Sequence, residues 1–261
     1  VFADQVDPAG RSRDDLRLAP QSRAHQRPRA QGKLGRFTRR HEVHVRSLSA
    51  NLVTSDVLGD DAPPGRRFPR VLPSLKLPSG FRPVIVAATR AEAAYVPGGL
   101  DLVITGLGKT AAATAVARSL ATLGSLDDVV VINIGTAGAL RDGVTGLHEP
   151  GTVFNHDINA DAIRALGYDP EERIELDAGE IVLATGDVFV TDPAVRDRLA
   201  LQAHLVDMEG YAVAYAARHF GVGVRMAKHV SDNADEGAVD WPAVVDASAR
   251  ELGLWLESLL G

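Results

Sequence analysis

The sequence predicts an α/β fold: a three-layer sandwich whose helices flank a central sheet, mixed but largely parallel. Three observations carry this. Short, wholly apolar runs rich in β-branched residues recur from Arg82 onward, as expected of strands buried on both faces. Helical stretches alternate with them. Glycines or carboxylates stand just after most of the runs, where ligands of such sheets bind.

The elements follow in order. Pro83–Ala88 reads as the first strand and Leu100–Thr105 as the second. Gly106-Leu107-Gly108-Lys109 turns into an Ala-rich helix over Thr110–Leu123. Asp127–Ile134 is the third strand, with Gly135-Thr136-Ala137-Gly138 following it as a turn. Glu180–Thr185 is a further strand, ending in Gly186-Asp187. Met208–Phe220 has apolar residues at helical spacing. Val222–Val230 is the last core strand, and Trp241–Leu260 a closing amphipathic helix. Glu92, Gly106–Gly108, Gly135–Gly138, Gly186-Asp187 and Ser231-Asp232 all follow strands, so five signals converge on one sheet edge.

Charge divides the chain in two. Residues 1–80 hold 15 Lys+Arg against 8 Asp+Glu, a net of +7; residues 81–261 hold 13 against 26, a net of −13. The first segment is rich in Arg, Pro, Ser, Asp and Gln and poor in aromatics, and Val43–Val57 shows no sustained period. It cannot bury enough apolar surface to offset its ordering entropy, so residues 1–80 are expected to be largely disordered. Its charge leaves open a basic arm for nucleic acid. The plainer reading is an unstructured tail, or upstream sequence read from a misplaced start, in a chain that begins with Val. Asp4, Asp7, Asp14 and Asp15 disfavour a transit peptide. Residues 81–261 suffice for one core, and their negative charge speaks against nucleic acid or an anionic membrane. There is no cysteine, hence no disulfide and no thiolate metal site. No apolar run nears the ~20 residues that span a bilayer, and no N-terminal stretch resembles a signal peptide. A soluble cytoplasmic protein is the expectation.

Two carboxylate clusters carry the chemistry. Lys228-His229-Val230-Ser231-Asp232 brings an acid to a strand end, and Val206-Asp207-Met208-Glu209-Gly210 brings two carboxylates to a helix start. Two carboxylate clusters, one at a strand end and one at a helix start, suit acid catalysis on a sugar-containing substrate. The acid must stay protonated near neutral pH, which burial in a closed pocket favours. The bland readings are a loop cap for Asp232, a dipole-favoured carboxylate for Glu209 and a core side chain for Phe189. Gly106-Leu107-Gly108-Lys109-Thr110 lacks the spacing of a phosphate loop and the third glycine of a dinucleotide fingerprint. Its glycines more simply allow close backbone approach.

Six stretches in order resemble the nucleoside phosphorylase and nucleosidase superfamily, most closely its 5′-methylthioadenosine/S-adenosylhomocysteine nucleosidases. They are Ala87–Glu92, Thr105–Lys109, Ile132–Gly138, Thr185–Val190, Val206–Glu209 and Val230–Asp235, within residues 83 to about 258. The resemblance implies a nucleoside phosphorylase-like fold and an N-glycosyl hydrolase. Asp232 would protonate the purine N7, with Ser231 orienting it. Glu209 would accept hydrogen bonds from the ribose hydroxyls, with Met208 packed on the sugar. Phe189 would stack on the base and the Val190 backbone read its edge. Glu92 would position and deprotonate the attacking water, and Thr105, Gly135, Thr136 and Ala137 would line the same pocket. No cofactor or metal is implied. The partner is a small-molecule nucleoside, and the assembly a homodimer whose second copy closes the 5′ end. Methionine salvage is the implied setting.

Water or phosphate is decided by the anion site. Phosphorylases of the superfamily hold phosphate partly through an arginine just before the Gly-Ser/Thr turn. Asn133 stands there, and a neutral amide does not replace a bidentate guanidinium. Glu92 repels phosphate as well, while Arg90 nearby keeps the purine nucleoside phosphorylase alternative open. A second alternative is a nucleoside-binding domain without turnover, carrying a basic arm; intact Glu92, Glu209 and Asp232 speak against it. Several departures bear on the substrate. The link from Glu92 to Leu100 is short, Asp207 stands for Glu, Lys228 for Arg and Ala139 for Gly, and residues 156–180 diverge. His156 and Asp157 stand where they could touch the 5′ side, but the plainer reading of His156 is a satisfied surface histidine.

Overall fold

The structure, a computed structural model, describes residues 76–77, 79–176, 178–235 and 241–261, without the side chains of residues 242 and 243. All of them fall in one compact unit, Asp61–Gly261. The expectations for residues 1–75 lie outside the described residues. At the other end of that segment, Lys76 and Leu77 are part of the domain. Leu77 N–H donates to Leu259 O at 2.8 Å, and its side chain packs on the core.

The order is β1 (Arg82–Ala87), β2 (Asp101–Ile104), α1 (Lys109–Ala121), β3 (Val129–Ala139), β4 (Leu147–His148), β5 (Thr152–Asn155) and α2 (Ala160–Ala165). It continues with β6 (Arg173–Glu175), β7 (Val182–Thr185), α3 (Pro193–Ala200), β8 (Leu205–Asp207), α4 (Gly210–His219), β9 (Gly223–Asp232) and α5 (Trp241–Leu260). The nine strands form one sheet, with β2-β1-β3-β8-β7-β5-β6 as its main path and β9 beside β3 and β4. Pairings β1–β2, β1–β3, β3–β9, β5–β7 and β7–β8 are parallel; β3–β8, β4–β9 and β5–β6 are antiparallel. The sheet is mixed and largely parallel, as predicted.

Alternation along the strands makes the three layers. Val84, Val86, Val129 and Val131 face α1 and α4, packing on Ala112, Val116, Val213 and Ala217. Ile85, Ala87, Val130, Ile132 and Ile134 face α5, packing on Leu252, Leu256 and Leu259. Each fully buried branched side chain contributes about 1.5–3 kcal/mol.

The sequence reading needs two corrections. Gly135–Gly138 is not a turn after β3 but part of it. Gly135 to Ala137 stay in register with Lys228 to Val230, and Gly138 and Ala139 pair antiparallel with β8. Ladder pairing on both sides overrides the local turn signal of the glycines. Ser231 and Asp232 likewise end β9 rather than begin a loop, and the register shifts at Ala137/Gly138. β3 is thus the strand at which the two halves of the sheet meet, and the site lies at its C-terminal end.

Candidate active site

A cavity of about 370 Å³ opens where β3, β8 and β9 end. Its wall is mostly apolar: Ala88, Leu107, Ala137, Val188, Val206 and Trp241 all face it. Glu92, Thr136, Gly138, Phe189, Val190, Asp207, Met208, Glu209, Ser231 and Asp232 complete the lining. Of the sequence-predicted residues, Asp232, Glu92, Glu209, Ser231, Phe189, Val190, Met208, Thr136 and Ala137 therefore share one cavity. Thr105 and Gly135 do not line it. The Thr105 hydroxyl donates to Gly106 O at 2.7 Å. Gly135 lies behind Glu92 and Lys228, where a Cβ would stand 3.2 and 3.1 Å from their polar ends.

Glu92 is buried in the turn after β1. Thr89-Arg90-Ala91-Glu92 forms a reciprocal box of the kind that starts helices. Thr89 N and Oγ1 both donate to Glu92 Oε2 at 3.0 Å, and Glu92 N donates to Thr89 Oγ1 at 3.2 Å. The other oxygen, Oε1, accepts from Thr136 N at 2.8 Å and Thr136 Oγ1 at 2.9 Å. Four donors fill the roughly four lone-pair positions of a carboxylate. Two of the four are hydroxyls.

Asp207 ends β8, a strand the sequence reading missed, and Glu209 sits just before α4. Asp207 is fully engaged: Oδ1 accepts from Thr185 Oγ1 at 2.6 Å, and Oδ2 from Gly210 N at 2.8 Å and Lys228 Nζ at 2.9 Å. Lys228 is 2 % exposed. Burial opposes its charge, but Asp207, Glu209 and Glu92 outweigh that and raise its pKa above the ordinary lysine value. Removing one partner of such a pair leaves a buried charge, at about 3–5 kcal/mol.

Glu209 makes no cap bond to its own helix. Its Oε1 reaches across to accept from Gly108 N at 2.7 Å. Burial, with the Asp207 carboxylate beside it, pushes Glu209 up to about 7.

Asp232 Oδ2 accepts from Ser231 Oγ at 2.7 Å and Oδ1 from Ala234 N at 2.8 Å. A Cβ on Gly138 would come within 2.9 Å of Oδ1, so a glycine there lets the carboxyl approach β3. Asp232 is half-buried, not enclosed as expected. The rim explains this: Leu107, Val188 and Phe189 are 65 %, 62 % and 48 % exposed. Val190, in contrast, is buried in the core.

Asn133 faces away from the chemistry. Its Nδ2 donates to Val86 O at 3.0 Å, and it does not line the cavity. Exposed Arg90 does not line it either. Among the described residues, no lysine or arginine belongs to the lining, and no cluster of metal-ligating side chains is found.

Sequence reasoning missed Trp241, whose Nε1 donates to Thr136 Oγ1 at 2.8 Å. A tryptophan beginning an amphipathic helix reads as core. It also misjudged His156, whose Nε2 is buried with no hydrogen-bond partner in the protein. Burial lowers the pKa of that imidazole.

Comparisons with known proteins agree with this architecture. The chain is 30% identical over 131 residues to an aminodeoxyfutalosine nucleosidase of Helicobacter pylori, covering 41% of this chain and 57% of that protein. It thus spans little more than half the length of that relative. It is 27% identical over 210 residues to a 5′-methylthioadenosine/S-adenosylhomocysteine nucleosidase of Shewanella halifaxensis, covering 67% of this chain and 88% of that one. A crystal structure of the Helicobacter pylori 5′-methylthioadenosine/S-adenosylhomocysteine nucleosidase shares the fold. Its TM-score is 0.60 at 24% identity, over 69% of this chain and 97% of the other. The family model of the phosphorylase superfamily matches residues 99–259, and the chain belongs to that superfamily.

Proposed function

We propose that this protein is an N-glycosyl hydrolase acting on adenosine-type nucleosides that carry a 5′ substituent. The observation that carries the reading is the convergence of Glu92, Glu209 and Asp232 on one mostly apolar cavity. The relatives named above are nucleosidases of 5′-methylthioadenosine, S-adenosylhomocysteine or aminodeoxyfutalosine. The first two remain the substrates the family resemblance favours.

Each group has a task. The base lies toward Phe189 and Val190, and Asp232, oriented by Ser231, protonates N7 as the glycosidic bond breaks. The sugar lies on Met208 with its hydroxyls toward Glu209, whose carboxylate also stabilises the positive sugar. Glu92 takes a proton from the water that attacks the anomeric carbon. Water is favoured over phosphate because, among the described residues, no lysine or arginine lines the cavity, and Lys228 is committed to Asp207. A second copy over the exposed rim, Leu107, Val188 and Phe189, makes a homodimer the assembly this reading prefers. A cytoplasmic setting and methionine salvage rest on the resemblance alone.

Base release from methylthioadenosine, adenosine and inosine, with and without phosphate, tests the proposal. The expected result is free adenine and free sugar at a rate phosphate does not change. Asp232→Asn and Glu92→Gln should each lower it by ~10²-fold or more. Ribose 1-phosphate products would establish the phosphorylase instead, and full activity in Asp232→Asn would remove the acid.

A further inference from the structure

A second cluster of charges stands behind the base side of the cavity, at the start of α1. Lys109 is the first residue of that helix and its side chain is 18 % exposed. Its ammonium donates to Asn155 Oδ1 at 2.7 Å and is paired with Asp157 Oδ1. Asp157 in turn uses Oδ2 to accept from Asp187 N at 2.8 Å. The Asp187 carboxylate closes the ring by accepting from Lys109 N at 2.7 Å. Asp187 lies two residues before Phe189. The half-buried His156 ring supports the same turn, where a Cβ on Gly186 would overlap it.

The preceding amide, at the N-cap of α1, does a related task. Gly108 N donates to Glu209 at 2.7 Å, and Lys109 N to Asp187. Two consecutive backbone amides thus hold a sugar-side carboxylate and the foot of the base-side loop. That loop is otherwise weakly held at its tip, with Val188 and Phe189 largely exposed. The loop is held at two places: by the bonds at Asp187 and by Val190, which is buried in the core.

The geometry points to Lys109 as a positioning residue: through Asp157 and Asp187 it holds the Val188–Val190 loop in register with Glu209, and so sets where the base of the nucleoside sits. This rests on the nucleosidase reading above. Lys109 touches no part of the proposed substrate position, because it does not line the cavity. Its effect passes through the loop.

Adenine binding to the full-length protein, measured by titration calorimetry well below the melting temperature, tests the assignment. Lys109→Met removes the ammonium and keeps the backbone amide; Asp157→Asn keeps the shape and removes the charge. Each is expected to weaken adenine binding by about tenfold. Because the two residues act through one tether, the double variant should lose little more than either alone. In turnover the loss should fall on KM more than on kcat. Native-like adenine affinity in both variants overturns the assignment, and so do additive losses, which mark general loosening. If Lys109→Met does not fold, Asp157→Asn alone decides by its adenine affinity. An unaltered protein that binds no adenine overturns the nucleosidase reading, and this inference with it.

Discussion

Glu209 shows how one side chain can set both activity and stability. It is buried beside Asp207, and its pKa is pushed up to about 7. The proposed role needs the ionised form, which accepts from ribose hydroxyls and stabilises positive charge. Turnover per unit substrate, kcat/KM, should therefore rise with pH through about 7 and level off above it. Stability runs the other way. The folded protein holds this proton more tightly than the unfolded chain, so the stabilisation is full below the unfolded value and is lost as pH rises through about 7. Glu209→Gln should abolish the rising limb of the pH–rate profile and spare the folded state the buried charge at high pH. A limb that persists in Glu209→Gln belongs to another group, and the sugar-side role would then fail.

At the scale of elements, α5 joins the core to the site. Its Leu252, Leu256 and Leu259 pack on β1 and β3, and its first residue, Trp241, reaches Thr136, whose hydroxyl donates to Glu92. Adding methylthioadenosine should change the emission of Trp241. Trp241→Phe keeps a ring but loses the donor, at about 1 kcal/mol. The emission change should vanish in that variant, although Trp255 remains. A change that survives there would place the substrate away from α5. The main strands and helices were legible because each spans several periods of burial. β4, β6 and β8 have two or three residues, too few to show a period. The sequence reading missed all three. The Thr89-to-Glu92 box and the carboxylates of Asp207 and Glu209 could be read locally. The Lys228–Asp207 pair and the Lys109 tether could not, since each joins residues far apart in sequence.

For the whole molecule, the boundary of the folded domain decides what can be cut away. Composition places it at residue 80, between a basic segment and an acidic one. The structure places two earlier residues in the domain. Leu77 bonds to Leu259 and packs against the core cluster that includes the α5 leucines, while the Lys76 ammonium donates to Gly261 O at 2.6 Å. These contacts tie Lys76 and Leu77 to the last turn of α5. A chain starting at residue 76 and one starting at residue 79 differ by only three residues. The second loses a backbone hydrogen bond and a half-buried leucine, together about 2 kcal/mol. For a domain of this size that corresponds to a melting temperature lower by about 4–8 °C. Turnover at 25 °C should be the same in both, since neither residue approaches the cavity. Equal melting temperatures would mean that Lys76 and Leu77 lie on the surface without supporting it, and would return the boundary to the place composition gives.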